Sequence, residues 1–319
     1  MGSGHKDYIT KQMYDLIGDI HGHADELEAL LVRLGYSRVG DSYRHDSRQA
    51  IFIGDFIDRG PHQRRVVELV RSMIESAAAR AVMGNHEYNA IAYYTPRTNG
   101  GYLRERSAKN TRQHQAFLDE YARDAHDWAE AIDWFKTLPL WLDLEGIRII
   151  HACWEKTSVD QILEFQNGSN LLGDELLHAS GDPTTWQYKA VDTILKGKEI
   201  RLPNDGHFHD KDGNRRHKIR VRWWEKANNY RETFMGPESA RTHIPDDPIE
   251  GDHMIEYGHA EKPVFLGHYW LEGEPSPLAA NIACLDYSVA KPGGKLVAYR
   301  WDGEVTLDAT KFVAFERFS

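Results

Sequence analysis

The chain has 319 residues, a formal net charge of −10 and 41% hydrophobic residues. That is enough apolar material for a large core, and too acidic overall for a general nucleic-acid or membrane-surface binder. No stretch approaches the roughly 18 apolar residues needed to span a bilayer. Cys153 and Cys284 form neither a CxxC pair nor a disulfide-scaffold spacing, so a reducing, cytoplasmic setting is the expectation.

The first residues, MGSGHKD, read as a flexible tail or expression remnant. One domain is expected over 8–319, with 155–262 inserted in it. The first third repeats one pattern, in which a short apolar run ends in a Gly-Asp or Gly-Asn loop and a helical pattern follows. Tyr14 to Ile17 leads into GDIHG and a helix over Ala24–Leu34. Ala50 to Ile53 leads into GDFIDRG and a helix from about His62 to Ala78. Ala81 to Met83 leads into GNHE and a third helix. Such units predict a mainly parallel sheet whose carboxyl-end loops converge on one edge. Helix is expected from Thr95 to Thr137, with Phe117, Tyr121, Trp128, Ile132 and Phe135 as its packing stripe.

Ile147–Ile150 is a strand ending in His151. The segment Glu155–Lys262 loses regular alternation and is expected to cap the sheet edge. Pro263–Leu266 resumes the pattern and ends in Gly267-His268. Strand-like runs at Ala280–Tyr287, Lys295–Trp301 and Glu304–Leu307, separated by Pro292-Gly293-Gly294 and Asp302-Gly303, predict an antiparallel meander and a second sheet.

Asp19 and His21, one residue apart at a strand end, point the same way and can reach one ion. The carboxylate of Asp55 can bridge two ions, Asn85 offers an amide oxygen, and His151 and His268 add imidazoles. Each feature alone is ordinary turn chemistry; five strand ends carrying such groups together point to a metal site. Carboxylate, amide and imidazole without thiolate suit manganese, iron or zinc better than a structural zinc cage does.

GDIHG, GDFIDRG, GNHE, His151 and Gly267-His268, in this order, resemble the calcineurin-like metallophosphoesterases, and the DRG and GNHE forms resemble their phosphoprotein-phosphatase branch. The resemblance implies a four-layer α/β/β/α sandwich holding two divalent metals, manganese first, with iron, zinc or nickel as alternatives. By that resemblance Asp19, His21 and Asp55 hold one metal and Asp55, Asn85, His151 and His268 the other. It also makes His86 and Asp58 the acid pair and Arg59 a phosphate ligand. The chemistry agrees. Two metals about 3.5–4 Å apart can share a hydroxide for in-line attack on phosphorus, with His86 protonating the leaving oxygen and Arg59 forking two phosphate oxygens. Glu87 is expected to stabilise the helix that follows it.

The leading expectation is a phosphomonoesterase of the Ser/Thr protein phosphatase type. A dinucleoside-polyphosphate hydrolase is second, a phosphodiesterase for cyclic nucleotides or nucleic-acid ends third, and a non-catalytic binding module last, since every expected ligand is present. Two departures matter. Ala152-Cys153-Trp154 follows the late histidine where eukaryotic-type protein phosphatases have Gly-Gly. ACLDYSVAKPGGKLVAYR and the N-terminal run look more like the bacterial dinucleoside-polyphosphate hydrolases, though those lack the long 155–262 segment. Within that segment HDKDGNRRHKIRVRWWEK predicts a hairpin turning at 211–214. It sets Arg220 and Arg222 on one face and Ile219, Val221 and Trp223 on the other. A solvated basic hairpin face is the favoured reading. The functional alternative gives Arg220 or Arg222 to distal phosphates and stacks an indole on a base.

Overall fold

The computed structural model describes residues 12–209, 215–251 and 253–318. The N-terminal tail and the 211–214 turn lie outside them. In chain order, β1 (Met13–Ile17) runs into α1 (Ala24–Arg33). A hairpin of β2 (Ser37–Val39) and β3 (Ser42–Arg44) leads to β4 (Arg48–Phe52), α2 (Gln63–Glu75), β5 (Ala79–Ala81) and α3 (Asn85–Tyr94). Next come α4 (Ala108–Gln113), α5 (Gln115–Tyr121), α6 (Ala125–Lys136), β6 (Trp141–Asp143) and β7 (Arg148–Ile150).

The expected cap opens with three helices, α7 (Lys156–Phe165), α8 (Asp174–Ser180) and α9 (Trp186–Lys196). It continues as short strands β8 (Glu199–Arg201), β9 (Phe208–His209), β10 (Arg215–Arg216) and β11 (Lys218–Arg220). The chain then returns through β12 (Val264–Leu266), β13 (Ile282–Cys284), β14 (Asp286–Tyr287), β15 (Lys295–Trp301) and β16 (Phe312–Glu316).

Two sheets result. In the first, β1 pairs parallel with β4, β4 parallel with β5, and β15 antiparallel with β1, β14 and β16. In the second, β12 lies parallel to β7 and β13, with β6 antiparallel to β7. The side-chain period of two stacks them. Leu16, Ile51, Val297 and Tyr299 from the first sheet meet Ile149, Phe265 and Ala283 from the second in one buried cluster. The alternate residues Ile17, Phe52, Ala298, Ile150, Leu266 and Cys284 face outward into the helix-covered core. On that outer side α1 buries Leu27, Leu30 and Leu31, α2 buries Val66, Val70 and Met73, and α9 buries Ala190, Val191, Ile194 and Leu195. This is the α/β/β/α sandwich. Because β1, β4 and β5 run parallel, as do β7 and β12, the loops after all five open at one edge.

Several expectations change. Residues 95–107 form a loop, with Pro96 bridging Tyr102, before three separate helices replace the single helical stretch. Phe117, Tyr121, Ile132 and Phe135 are buried as the stripe requires, whereas Trp128 is half-buried. The run Ala280–Tyr287 divides between the sheets, β13 joining the second and β14 the first. Glu304–Leu307 is not a strand: Glu304 closes the turn by accepting the Asp302 amide, and the meander's last strand is β16. The hairpin around 211–214 is present as β9 paired with β10, but β11 leaves it to pair with β8. Ile219, Val221 and Trp223 are buried as the alternation requires. Trp223 and Trp224 are both core residues, the former donating its indole N–H to Ala152 O, so neither is placed to stack on a base.

Candidate metal centre and cavity

The site rests on a strained edge. His21, Asp55, Asp58, Arg59, His268 and Trp270 all hold φ between 48° and 74°, a region costing about 1–3 kcal/mol for each residue with a Cβ. Neighbouring bonds enforce it. The Glu87 carboxylate accepts the backbone N–H groups of Asp55 (2.8 Å), Phe56 (2.8 Å) and Gly84 (2.9 Å), fastening the loop after β4 to the start of α3. Its role is thus wider than helix stabilisation. Burial and the Asp55 charge push its pKa up to about 7. Gln63 accepts the Asp58 amide at 2.6 Å and donates to Gly60 O at 2.6 Å. Gly84 must lack a side chain, since a Cβ there would stand 2.2 Å from Asp55 N.

Within this frame the imidazoles are oriented by backbone carbonyls. His21 Nδ1 donates to Ile57 O at 3.0 Å and His151 Nδ1 to Ile53 O at 2.7 Å, which leaves each Nε2 lone pair facing the centre. Asp55 lies between them. Its Oδ1 is 3.4 Å from His151 Nε2, and its Oδ2 is 3.7 Å from His21 Nε2. Asn85 Oδ1 is 3.2 Å from His151 Nε2 and 2.6 Å from His268 Nδ1. Asp19 Oδ2 accepts the His268 amide at 3.0 Å.

Among the described residues, Asp19 Oδ1, His21 Nε2 and His268 Nε2 are buried here without a hydrogen-bond partner. Burial lowers the pKa of His21 and His268 well below the usual range, aided by His86 and Arg220 respectively, so both are neutral imidazoles with a free lone pair. Burial opposes ionisation of Asp55, but His151 and His86 outweigh it and hold its carboxyl well below its ordinary value. A neutral-imidazole and carboxylate set with orphaned donors fits divalent cations. Two groups of ligand atoms lie within 4.8 Å of one another, His21–Asp55–His86 and Asp55–His151–His268, and Asp55 is common to both. The first group contains His86 where the sequence pattern has Asp19.

His86 is tethered differently from the others. Its Nδ1 bonds Asp58 Oδ2 at 2.5 Å, and Asp58 Oδ1 receives His114 Nδ1 at 2.8 Å. Although burial opposes it, the two histidines hold Asp58 far below the ordinary carboxyl range. His114 escaped the sequence reading because it stands in no motif, 56 residues from Asp58. Its ring is buried and stacks on Phe117 at 4.8 Å. Asp286 was also missed; buried, it accepts the Trp270 amide at 2.7 Å. Trp270 in turn carries the Arg59 guanidinium 4.4 Å above its ring. Among the described residues Arg59 makes no ion pair.

A cavity of about 450 Å³ opens over this edge. The scaffold lines it with Asp55, Asn85, His86 and His268, and the cap with Lys218, Arg220, Phe208, Phe234 and Met235. Arg220 therefore shares the cavity with the predicted ligands. Arg222 is not in its lining, and its Nη1 pairs with Glu225 at 3.2 Å. Cys153 is fully buried, and its thiol pKa is pushed well up by burial, so it is a packing residue.

The chain is 31% identical over 141 residues to the asymmetrical bis(5'-nucleosyl)-tetraphosphatase PrpE of Oceanobacillus iheyensis, a match covering 43% of this chain and 54% of that protein. It is 47% identical over 74 residues to PrpE of Halalkalibacterium halodurans, covering 23% and 30%. The chain thus spans about half, or less, of the length of these relatives. A protein serine/threonine phosphatase from Saccharomyces cerevisiae has the same fold at a TM-score of 0.53, with 13% identity over 98% of this chain and 82% of that one. The sequence pattern of the calcineurin-like phosphoesterases runs through residues 14–268 and takes in every strand end described above, so this chain belongs to the calcineurin-like phosphoesterases, a family of phosphoric ester hydrolases.

Proposed function

We propose that this chain is a dinuclear-metal hydrolase of nucleoside polyphosphates, cleaving a phosphoanhydride bond as the PrpE tetraphosphatases are named for doing. The cavity carries the reading. In a chain of net charge −10, it is lined by Arg59, Lys109, Lys218 and Arg220, none of which has a carboxylate within ion-pair distance among the described residues. An apolar wall of Phe208, Phe234, Met235 and Pro237 stands with them. Unpaired cations beside flat apolar surface suit a polyanion that carries an aromatic base. The dinucleotide reading therefore displaces the Ser/Thr phosphatase reading as the leading one.

Asp19, His21 and Asp55 would hold one divalent ion and Asp55, Asn85, His151 and His268 a second, with manganese as the first choice. Bound there, the ions supply positive charge that polarises phosphoryl oxygens and acidifies water. The chain's own residues supply the rest. Arg59, held over the Trp270 ring, and Arg220, lining the cavity from the cap, would grip non-bridging oxygens. His86, its Nδ1 bound by Asp58, would present Nε2 as general acid where the departing oxygen is an alkoxide or aryloxide. Two free, buried thiols fit a reducing, cytoplasmic setting.

The test is a substrate panel with metal-stripped protein reloaded with Mn²⁺. Diadenosine tetraphosphate should be cleaved with a higher kcat/KM than p-nitrophenyl phosphate or a phosphoserine peptide. Preference for the phosphopeptide would reverse the reading, and full activity without metal would end it.

A further inference from the structure

Arg104 is a half-buried guanidinium in the cavity wall. It has no carboxylate within ion-pair distance among the described residues. Its Nη2 makes two long bonds, 3.3 Å to Asn110 Oδ1 and 3.1 Å to Gln113 Oε1, both neutral oxygens on α4. Nε and Nη1 have no protein partner among the described residues. A cation withdrawn from water with only weak neutral partners is costly unless an anion joins it.

Its position says which anion. Gln113, which holds Arg104, is followed in the chain by His114, and His114 bonds the same Asp58 carboxylate as His86 does. Arg104 therefore lies on the general-acid side of the cavity, towards which the leaving group departs. Lys109, on α4 with Asn110 and Gln113, lines the same cavity and has no ion pair among the described residues.

We infer that Arg104, positioned by Asn110 and Gln113 and assisted by Lys109, is a subsite for the leaving phosphate of a phosphoanhydride. This rests on the polyphosphate reading of the cavity. In the step, water oxygen bonds to phosphorus as the bridging P–O bond breaks. The bond pair stays on the bridging oxygen of the departing phosphate, and the water's protons pass to solvent. A departing alkoxide needs a proton, but a departing phosphate, whose conjugate acid has a pKa of about 6, needs charge neutralisation instead. His86 serves the first kind of leaving group, and Arg104 the second.

The experiment compares wild type, R104Q and R104K, all Mn²⁺-loaded, on diadenosine tetraphosphate and p-nitrophenyl phosphate, with inorganic pyrophosphate as inhibitor of the latter reaction. Charge-assisted hydrogen bonds worth about 1.5–3 kcal/mol predict a roughly 10–100-fold fall in kcat/KM on the dinucleotide for R104Q. p-Nitrophenyl phosphate turnover should be nearly unchanged, inhibition by pyrophosphate weaker, and R104K partly restored. Equal losses on both substrates would overturn the inference in favour of a structural role through Asp58, and so would no loss on either. If wild type cleaves no anhydride, the polyphosphate reading fails by itself. Pyrophosphate inhibition then decides the subsite, surviving if R104Q weakens it and falling if it does not.

Discussion

His114→Leu isolates the part of the acid pair that no motif announces. Asp58 is buried and ionised, with one oxygen bound by His86 and the other by His114 at 2.8 Å. Leucine fills similar space but leaves Asp58 Oδ1 without that donor. A hydrogen bond to a charged group is worth about 1.5–3 kcal/mol, so a 10- to 100-fold loss of kcat is expected where His86 must deliver a proton. A series of aryl phosphates provides the assay, since the need for protonation rises with leaving-group pKa. Wild type should show a shallow dependence of kcat on leaving-group pKa, and His114→Leu a steeper one approaching that of His86→Asn. His114→Asn, which keeps a donor near the Nδ1 position, should recover part of the loss, and the His86→Asn, His114→Leu double variant should be little worse than His86→Asn alone. An unchanged slope with a uniform drop in rate would show that His114 only packs against Phe117, and the relay would be wrong.

Asp55→Asn and His86→Asn should differ in kind: the first loses bound metal and activity together, while the second keeps metal by elemental analysis and loses turnover. Loss of metal in His86→Asn would instead make His86 a ligand, in line with its place beside His21 and Asp55. Gly267→Ala would set a Cβ 2.0 Å from Asp19 Oδ1, so Asp19 must swing away and metal content should fall by elemental analysis. Glu304 accepts Lys311 Nζ at 2.8 Å and the Tyr299 hydroxyl at 2.8 Å. Although burial opposes it, Lys311 and the other donors lower its pKa. Its folded pKa lies below the unfolded value, so its stabilisation is complete above about pH 4.5 and is lost as pH falls through the folded value. Glu304→Gln should therefore lower Tm at neutral pH and narrow the gap to wild type in acid.

What could be read from the sequence was whatever is local. A Gly-Asp or Gly-His at the end of a β-branched run is a strand end wherever it occurs, so Asp19, His21, Asp55, Asn85, His151 and His268 could be placed on one edge before any coordinates. His114 and Arg104 could not. Both lie between α3 and α5, where the sequence carries only a helical packing stripe, and both acquire meaning through partners in space. Asp286 was hidden in the same way, its contact with Trp270 being set by the β14 loop. The helices α7–α9 had a legible signal, since Ala190, Val191, Ile194 and Leu195 keep helical spacing. The Gly, Asp and Asn residues around them masked it. β16 was missed because its side chains are only half-buried, as suits an edge strand with weak alternation.

The tryptophan pair shows why composition misleads in the cap. Two adjacent indoles beside a run of arginines leave a stacking platform open as the less favoured reading, and burial of both rings rules it out. Trp223 fixes the cap to the scaffold through Ala152 O, and the carbonyl so held also accepts the Tyr269 hydroxyl at 3.0 Å. Ala152 follows His151 and Tyr269 follows His268, so the cap's anchor grips the residues next to two of the proposed metal ligands. The cap is fastened at the edge that carries the proposed metal ligands, which places Arg220 and Lys218 relative to them. A Trp223→Phe variant, which keeps the bulk and removes the indole N–H, should accordingly raise KM for a polyphosphate more than it lowers kcat for a small aryl phosphate. A loss confined to aryl phosphate turnover would place the anchor's effect on the metals instead.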